Sequence, residues 1–148
     1  SKGFRFNDIC EIPMDLLISL KNEFDIKLFE KAEYVILENK RTISAAKHIE
    51  NNDLIRFGRL MYESHEGLRK KYKVSCKELD FLVDLFKNDC YVIGSRMMGG
   101  GFGGSTINLV KRDYVKSFID IAKKEYYNKF NIKLTSIPTS ISNGVEIL

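Results

Sequence analysis

A glycine-rich segment is the part of this sequence whose residue types and spacing could support chemistry. Five of the ten glycines lie in one six-residue window. Each glycine costs backbone entropy unless its missing Cβ is used. The unhindered N–H groups of such a turn can hold phosphate oxygens or admit another chain segment, whereas a hairpin tip without a ligand is the alternative. We call this window the glycine loop; it consists of Gly99, Gly100, Gly101, Phe102, Gly103 and Gly104.

The flanks of the glycine loop exclude two common glycine-rich motifs. Gly99, Gly101 and Gly104 satisfy the G-x-G-x-x-G spacing, but a dinucleotide-binding motif must open a helix. Here the loop leads into Ser105 to Val110, whose alternation of polar and apolar residues predicts a strand. Protein kinases do place such a loop between two strands, but this sequence has no V-A-I-K, H-R-D or D-F-G segment.

Three other residues are candidates for the same site. Arg96 is the cation next to the glycine loop, and it either faces phosphates or pairs with a carboxylate across the sheet. Ser64 and His65 are interpreted as a buried polar pair that bonds to a neighbouring helix or to the glycine loop. A catalytic base is the alternative for His65, although a histidine without a partnered nucleophile is weak evidence for it. Phe102 is expected to pack the loop onto the core.

Composition limits the class of protein and its partners. A length of 148 residues predicts one domain, and 44% apolar with 30% charged residues predict a soluble globular protein. No apolar run approaches the roughly 20 residues of a membrane span, so no membrane partner is expected. The net charge of +4 is spread among acidic residues, which argues against nucleic-acid binding. The spacing of Cys10, Cys76 and Cys90, and of the two histidines, predicts neither disulfides nor a metal site but reduced thiols in the cytoplasm.

Hydrophobic periodicity predicts an α+β domain, with helices packed on a four-stranded antiparallel sheet. The long second helix is expected to bury a seam at Leu28, Ala32, Val35, Asn39, Thr42, Ala46 and Ile49, and Ser75 to Glu78 is a capping box at the start of the fourth helix. The predicted helices are Glu11–Asn22, Ile26–Asn51, Leu54–Lys71, one that begins after the capping box, and one that Asp113 caps. The predicted strands are Tyr91–Met98, Ser105–Lys111, Leu134–Ile137 and Val145–Leu148.

Three segments carry a resemblance to a known family: Ile36–Thr42 continuing into Ala45 and Ala46, Phe57–Arg69 followed by Tyr72–Cys76 and Glu78–Asp80, and Gly94–Gly104. In order and spacing they resemble the C-terminal half of the galactokinases, in the GHMP superfamily of small-molecule kinases. The Ser64-His65 and Val74-Ser75-Cys76 segments point to the galactose branch, although N-acetylgalactosamine and arabinose kinases have similar sequences. Met98 stands where a Thr is usual in galactokinases, and Ser105 where a Cys is usual.

The resemblance implies a fold and a reaction. The fold is the GHMP-kinase C-terminal domain, with a ferredoxin-like four-stranded sheet, spanning residues 1–148. The reaction transfers the γ-phosphoryl of ATP to the anomeric hydroxyl of galactose. The resemblance further implies that the catalytic residues, ATP and Mg²⁺ belong mainly to an N-terminal domain that this sequence does not contain, and that this domain is a partner of the chain.

Within this resemblance, the glycine loop and Arg96 would support the phosphates or the sugar from below, and the chain alone is expected to be inactive. Two rival classes remain. One is a galactokinase-like sugar sensor without catalysis, and the other is a free-standing interaction module. The upstream coding sequence would distinguish them.

Overall fold

A computed structural model describes residues 5–140 of the chain. Five α-helices and one β-hairpin form the described part: α1 (Met14–Ser19), α2 (Ile26–Glu50), α3 (Leu54–Gly67), α4 (Lys77–Leu85), β1 (Val92–Met98), β2 (Ser105–Val110) and α5 (Val115–Phe130). A five-residue π-helix, Leu68–Tyr72, continues α3, and short 3₁₀ turns flank α1 and precede α5. This arrangement confirms the α+β class.

Side-chain caps explain where α2 and α3 begin. The Asp25 carboxylate accepts hydrogen bonds from the N–H groups of Lys27 and Leu28 at the start of α2. The Asp53 carboxylate accepts one from Arg56 N–H at the start of α3. Each carboxylate satisfies donors that have no partner inside the helix. Asn52 has a φ of 55°, a left-handed conformation that lets the chain reverse between α2 and α3.

The hairpin is the centre of the domain. Strands β1 and β2 pair antiparallel, from Val92 opposite Val110 to Met98 opposite Ser105, with an irregularity between Val92 and Gly94. Helix α3 crosses β1 so closely that a Cβ on Gly94 would lie 2.6 Å from the Cα of Gly58. Helix α2 packs on α3, while α4 and α5 contact each other and α4 also contacts both strands. This packing fixes β1, the strand that leads into the glycine loop.

Two apolar clusters stabilise these layers. One joins α1 to α2 through Leu17, Phe29 and Ile36. The other joins α4, the hairpin and α5 through Phe86, Val92 and Ala122, with partly buried neighbours Leu85, Val110, Tyr114, Phe118 and Leu134. Burial of such side chains stabilises a fold by about 1.5 to 3 kcal/mol each.

The predicted four-stranded sheet is wrong for the described residues, which form a two-stranded sheet. Residues 134–137 are not a strand: Leu134 packs on the second apolar cluster as irregular chain, and Ile137 is 84% exposed. A strand needs a paired neighbour, and none of the residues described beside this segment supplies one. The other predicted strand, Val145–Leu148, lies outside the described residues.

The predicted seam of α2 is wrong at five of its seven positions. The buried side chains of this helix are Phe29, Tyr34 and Ile36, whereas Leu28, Asn39, Thr42, Ala46 and Ile49 are exposed. Ala32 and Val35 are partly buried, and Ala32 packs on the first apolar cluster. The reason is that α2 contacts two different neighbours. Phe29 and Ile36 face α1, and the ring of Tyr34 lies against Gly67 and 5.4 Å from the ring of Tyr72.

Neither the predicted capping box of α4 nor the predicted Asp113 cap of α5 is observed. The capping residue of α4 is Cys76, without a side-chain cap hydrogen bond, because the Ser75 hydroxyl donates to Asp80 instead. Asp113 lies within a 3₁₀ turn, and α5 begins after Tyr114 without a side-chain cap. The first predicted helix, Glu11–Asn22, is shortened to α1 with a 3₁₀ turn on either side.

Candidate functional site

The glycine loop joins β1 to β2 and adopts a backbone that few residues other than glycine tolerate. Gly99, Gly101, Gly103 and Gly104 have φ values of 87°, 88°, 138° and 95°, and Phe102 has 57°. Positive φ places a Cβ too close to the following carbonyl, so glycine is favoured at such positions. These four glycines are therefore required by the shape of the loop itself.

One side of the glycine loop lies against the segment after the π-helix. The N–H of Phe102 donates to the Val74 carbonyl oxygen at 2.7 Å. A Cβ on Gly101 would overlap that same oxygen and would lie 2.8 Å from the Val74 Cβ. Gly101 is therefore needed for a close approach between two backbone segments as well as for its φ.

The other side of the glycine loop is open. A Cβ added to Gly99, Gly100 or Gly103 would meet no atom of the described residues within 4 Å. The expectation that Phe102 packs the loop onto the core is wrong, since its side chain is 78% exposed. The loop is anchored through the Phe102 backbone, and its aromatic ring faces outward, where another molecule or segment can contact it.

Arg96 is held by a carboxylate, but not by one across the sheet. Its Nη1 lies 3.4 Å from Oε1 of Glu38 on α2, and its Nε donates to the Met97 carbonyl. Glu38 also accepts hydrogen bonds from Ser64 and Arg41. The Arg96 side chain remains 35% exposed. A guanidinium held in this way keeps its position while part of it can still contact an anion.

The interpretation of Ser64 and His65 as a buried polar pair is confirmed. They are 1% and 0% exposed, respectively. Ser64 donates to Glu38, and Nδ1 of His65 accepts the N–H of Met97 at 3.2 Å. Nε2 of His65 lies 3.2 Å from Oδ1 of Asp80 on α4. The pair joins α3 to α2, α4 and β1.

A groove runs alongside these residues between α2, α3 and the end of β1. Its volume is about 360 Å³, and it is lined mainly by apolar side chains, with Glu38, Arg41 and Arg96 as its charged residues and Gly99 as the glycine-loop residue in its lining. Met98 and Ile107, both on its wall, are 50% and 46% exposed. The loop therefore lies at the edge of an open, largely apolar depression.

Burial lowers the pKa of His65 below its ordinary value, although the carboxylates of Asp80, Glu66 and Asp84 raise it and Arg69 lowers it further. The folded state then binds fewer protons than the unfolded state as the pH falls below the ordinary histidine pKa. Its free energy of unfolding should decrease from about pH 6.5 downward, with a slope of at most about 1.4 kcal/mol per pH unit.

Equilibrium urea unfolding between about pH 5 and about pH 7.5 measures this slope. His65→Gln should remove it, whereas His48→Gln, the matched control, should leave it in place. A slope that persists in His65→Gln would contradict this origin.

Metal-binding and membrane features are not found in this part of the chain. Among residues 5–140, no group of three His, Cys, Asp or Glu side chains is placed to hold a metal ion. No helix within the same residues is long and apolar enough to cross a bilayer. Cys10, Cys76 and Cys90 are free thiols.

Sequence reasoning assigned no role to three residues that hold this site together, namely Glu38, Val74 and Asp80. All three lie in segments that carry the family resemblance. Each is far along the chain from the residue that it contacts at the site, so no local spacing indicates the contact. Their partners become visible only when α2, α4 and the π-helix are packed around the hairpin.

Comparisons with known proteins found a matching family model, similar sequences and a similar solved structure. The family model described as GHMP kinases C terminal matches residues 43–128. Two similar curated proteins are the galactokinases of Clostridium beijerinckii, 45% identical over 79% of this chain and 30% of its own length, and of Thermosipho africanus, 39% identical over 80% and 34%. The solved structure of Lactococcus lactis galactokinase complexed with galactose matches with a TM-score of 0.82 and 30% identity, over 88% of this chain and 34% of that one.

The chain belongs to the GHMP kinases, to whose C-terminal domain it corresponds. It spans about a third of the length of the galactokinases it matches.

Proposed function

We propose that residues 1–148 are the C-terminal domain of a galactokinase, which transfers the γ-phosphoryl group of ATP to the anomeric hydroxyl of galactose. The observation that carries the proposal is the glycine loop. One side of it is fixed against Val74 and the other is open, in a domain whose curated relatives and structural neighbour are galactokinases.

Phosphoryl transfer requires mainly that the reactants be positioned and that donors stabilise the charge on the transferred group. In this proposal the open backbone of Gly99, Gly100 and Gly103 supports the phosphates or the sugar from one side. Arg96, fixed by Glu38 and partly exposed, adds a positive charge beside Gly99. Gly101, Phe102 and Gly104 give the loop its shape.

The reacting groups lie outside this domain in the proposal. His65 is fully buried, so it cannot contact a substrate. ATP and Mg²⁺ would be held mainly by the N-terminal domain, and the described residues contribute no metal-ligand cluster to that task. We therefore assign no step to a metal held by residues 5–140.

The apolar groove beside the loop is the proposed contact surface for that N-terminal domain. Exposed apolar side chains next to a site are typical of surfaces that another domain covers. The exposed side chains of Met98, Ile107 and Phe102 are arranged around the glycine loop in this way. A cytoplasmic location stays a prediction.

Galactose-dependent ATP turnover tests the proposal. We expect the protein that contains both domains to phosphorylate galactose faster than N-acetylgalactosamine or arabinose, and the 148-residue chain alone to show only background turnover. Faster turnover of either other sugar would assign the chain to that branch instead. Galactose binding without turnover by the two-domain protein would indicate a sensor, and activity of the isolated chain would contradict the division of roles proposed here.

A further inference from the structure

The end of β1 and the middle of the glycine loop are each held by a hydrogen bond to another element. Where β1 leads into the loop, the Met97 N–H donates to Nδ1 of His65 at 3.2 Å. In the middle of the loop, the Phe102 N–H donates to the Val74 carbonyl at 2.7 Å. These two anchors lie on α3 and on the segment after the π-helix.

A chain of polar contacts connects the two anchors. Nε2 of His65 lies 3.2 Å from Oδ1 of Asp80, and the same oxygen accepts the Ser75 hydroxyl at 2.6 Å. Ser75 directly follows Val74. These contacts therefore link the end of β1, two residues before the glycine loop, to the middle of the loop, through Met97, His65, Asp80, Ser75 and Val74.

The contacts of His65 determine which of its ring nitrogens carries the proton. Because Nδ1 of His65 accepts a backbone N–H, the neutral ring carries its proton on Nε2, the side that faces Asp80. Asp80 is further fixed by Arg69, whose Nε lies 3.1 Å from Oδ2. The Met97 hydrogen bond orients the buried ring, whereas Nε2 approaches Asp80 at 3.2 Å without the alignment of a hydrogen bond.

The backbone of the loop needs such support. Phe102 has a φ of 57° and Lys73, the residue before Val74, a φ of 61°. Residues other than glycine rarely adopt this conformation, which persists where the surrounding structure fixes it. Here Phe102 donates the hydrogen bond to Val74, and Lys73 directly precedes the acceptor.

We propose that His65, Asp80 and Ser75 are positioning residues that fix the backbone of the glycine loop in the shape that phosphoryl transfer requires. Only the kinetic consequence of this proposal rests on the proposed function. The effect of these three side chains on the order of the loop can be measured whether or not the protein phosphorylates a sugar.

Asp80→Ala and Asp84→Ala, made in the protein that contains both domains, provide a matched test. Both carboxylates lie on α4 and contact Arg69, but Asp84 does not contact His65 or Ser75. Hydrogen exchange of peptides covering residues 97–104 reports loop order independently of activity. We expect Asp80→Ala to accelerate exchange there about tenfold and to lower kcat about tenfold with little change in KM, while Asp84→Ala changes each less than about twofold.

If Asp80→Ala does not fold, Ser75→Ala replaces it in the test, because this variant removes a single hydroxyl. Ser75→Thr keeps a hydroxyl and should therefore have the loop exchange and the kcat of the parent protein. Equal exchange in Asp80→Ala and Asp84→Ala, or in Ser75→Ala and the parent, would overturn the proposal. Faster exchange with an unchanged kcat would overturn its kinetic part. If the parent protein has no sugar kinase activity, the proposed function fails while the exchange measurement still decides whether these side chains hold the loop.

Discussion

Gly58→Ala should destabilise this domain far more than an alanine substitution at an exposed position of the same helix. Gly58 lies on α3 where it crosses β1, and a Cβ at this position would overlap the carbonyl oxygen of Ile93 and lie 2.9 Å from its Cγ2. Alanine normally stabilises a helix relative to glycine by up to about 1 kcal/mol. Here that gain is outweighed, because the obstacle is backbone of the central strand and cannot rotate away.

The expected loss is about 3 kcal/mol in the free energy of unfolding, at the upper end for overpacked sites, with a fall in Tm of about 10 °C. Urea and thermal unfolding measure both quantities. Arg59→Ala, at the next and exposed position of the same helix, is the control and should change stability by less than about 0.5 kcal/mol. A Gly58→Ala variant as stable as this control would contradict the close crossing of α3 and β1.

In a protein with both domains, Gly100→Ala should reduce turnover about tenfold without affecting folding, if the loop supports the reactants. A Cβ at Gly100 meets nothing within 4 Å and its φ is not in the positive range, so the domain itself tolerates the methyl group. The added group would instead obstruct whatever approaches the open side of the loop.

Gly101→Ala is the informative comparison, because here the methyl group would overlap the Val74 carbonyl and the φ of 88° disfavours alanine. This variant should lose both thermal stability and turnover. Steady-state kinetics and thermal unfolding of the two variants separate the effects. Normal turnover in Gly100→Ala would mean that nothing approaches the loop, and its interpretation as a hairpin tip without a ligand would then hold.

The sequence predicts the hairpin and the long helices well, because their periodicity extends over many residues. It fails where contacts decide the outcome. The segment from Leu134 to Ile137 is predicted to be a short strand, yet its one partly buried apolar side chain, Leu134, packs on an apolar cluster without pairing. On α2, the burial of Phe29, Tyr34 and Ile36 depends on two neighbouring elements, which a single 3.6-residue period cannot represent.

The candidate site was partly predictable for the same reason. The glycine loop stands out in composition alone, and Ser64 with His65 could be identified as a buried pair. The carboxylate partners of that pair could not, since Glu38 and Asp80 come from other helices and are two of many acidic residues in the sequence. Nor does composition distinguish Gly101, which is packed, from Gly100, which is open.

The π-helix from Leu68 to Tyr72 is a place where the length of this chain can differ by one residue between relatives. Its wide turn holds about one residue more than an α-helical turn would, between His65 and Val74. Losing that residue would let the turn close as α-helix and would leave the residues after it nearly in place, including the Val74 carbonyl that receives Phe102 N–H. Losing a residue from α3 itself would instead rotate everything after it by about 100°. One-residue differences in length among homologues should therefore occur in this stretch more often than within α3.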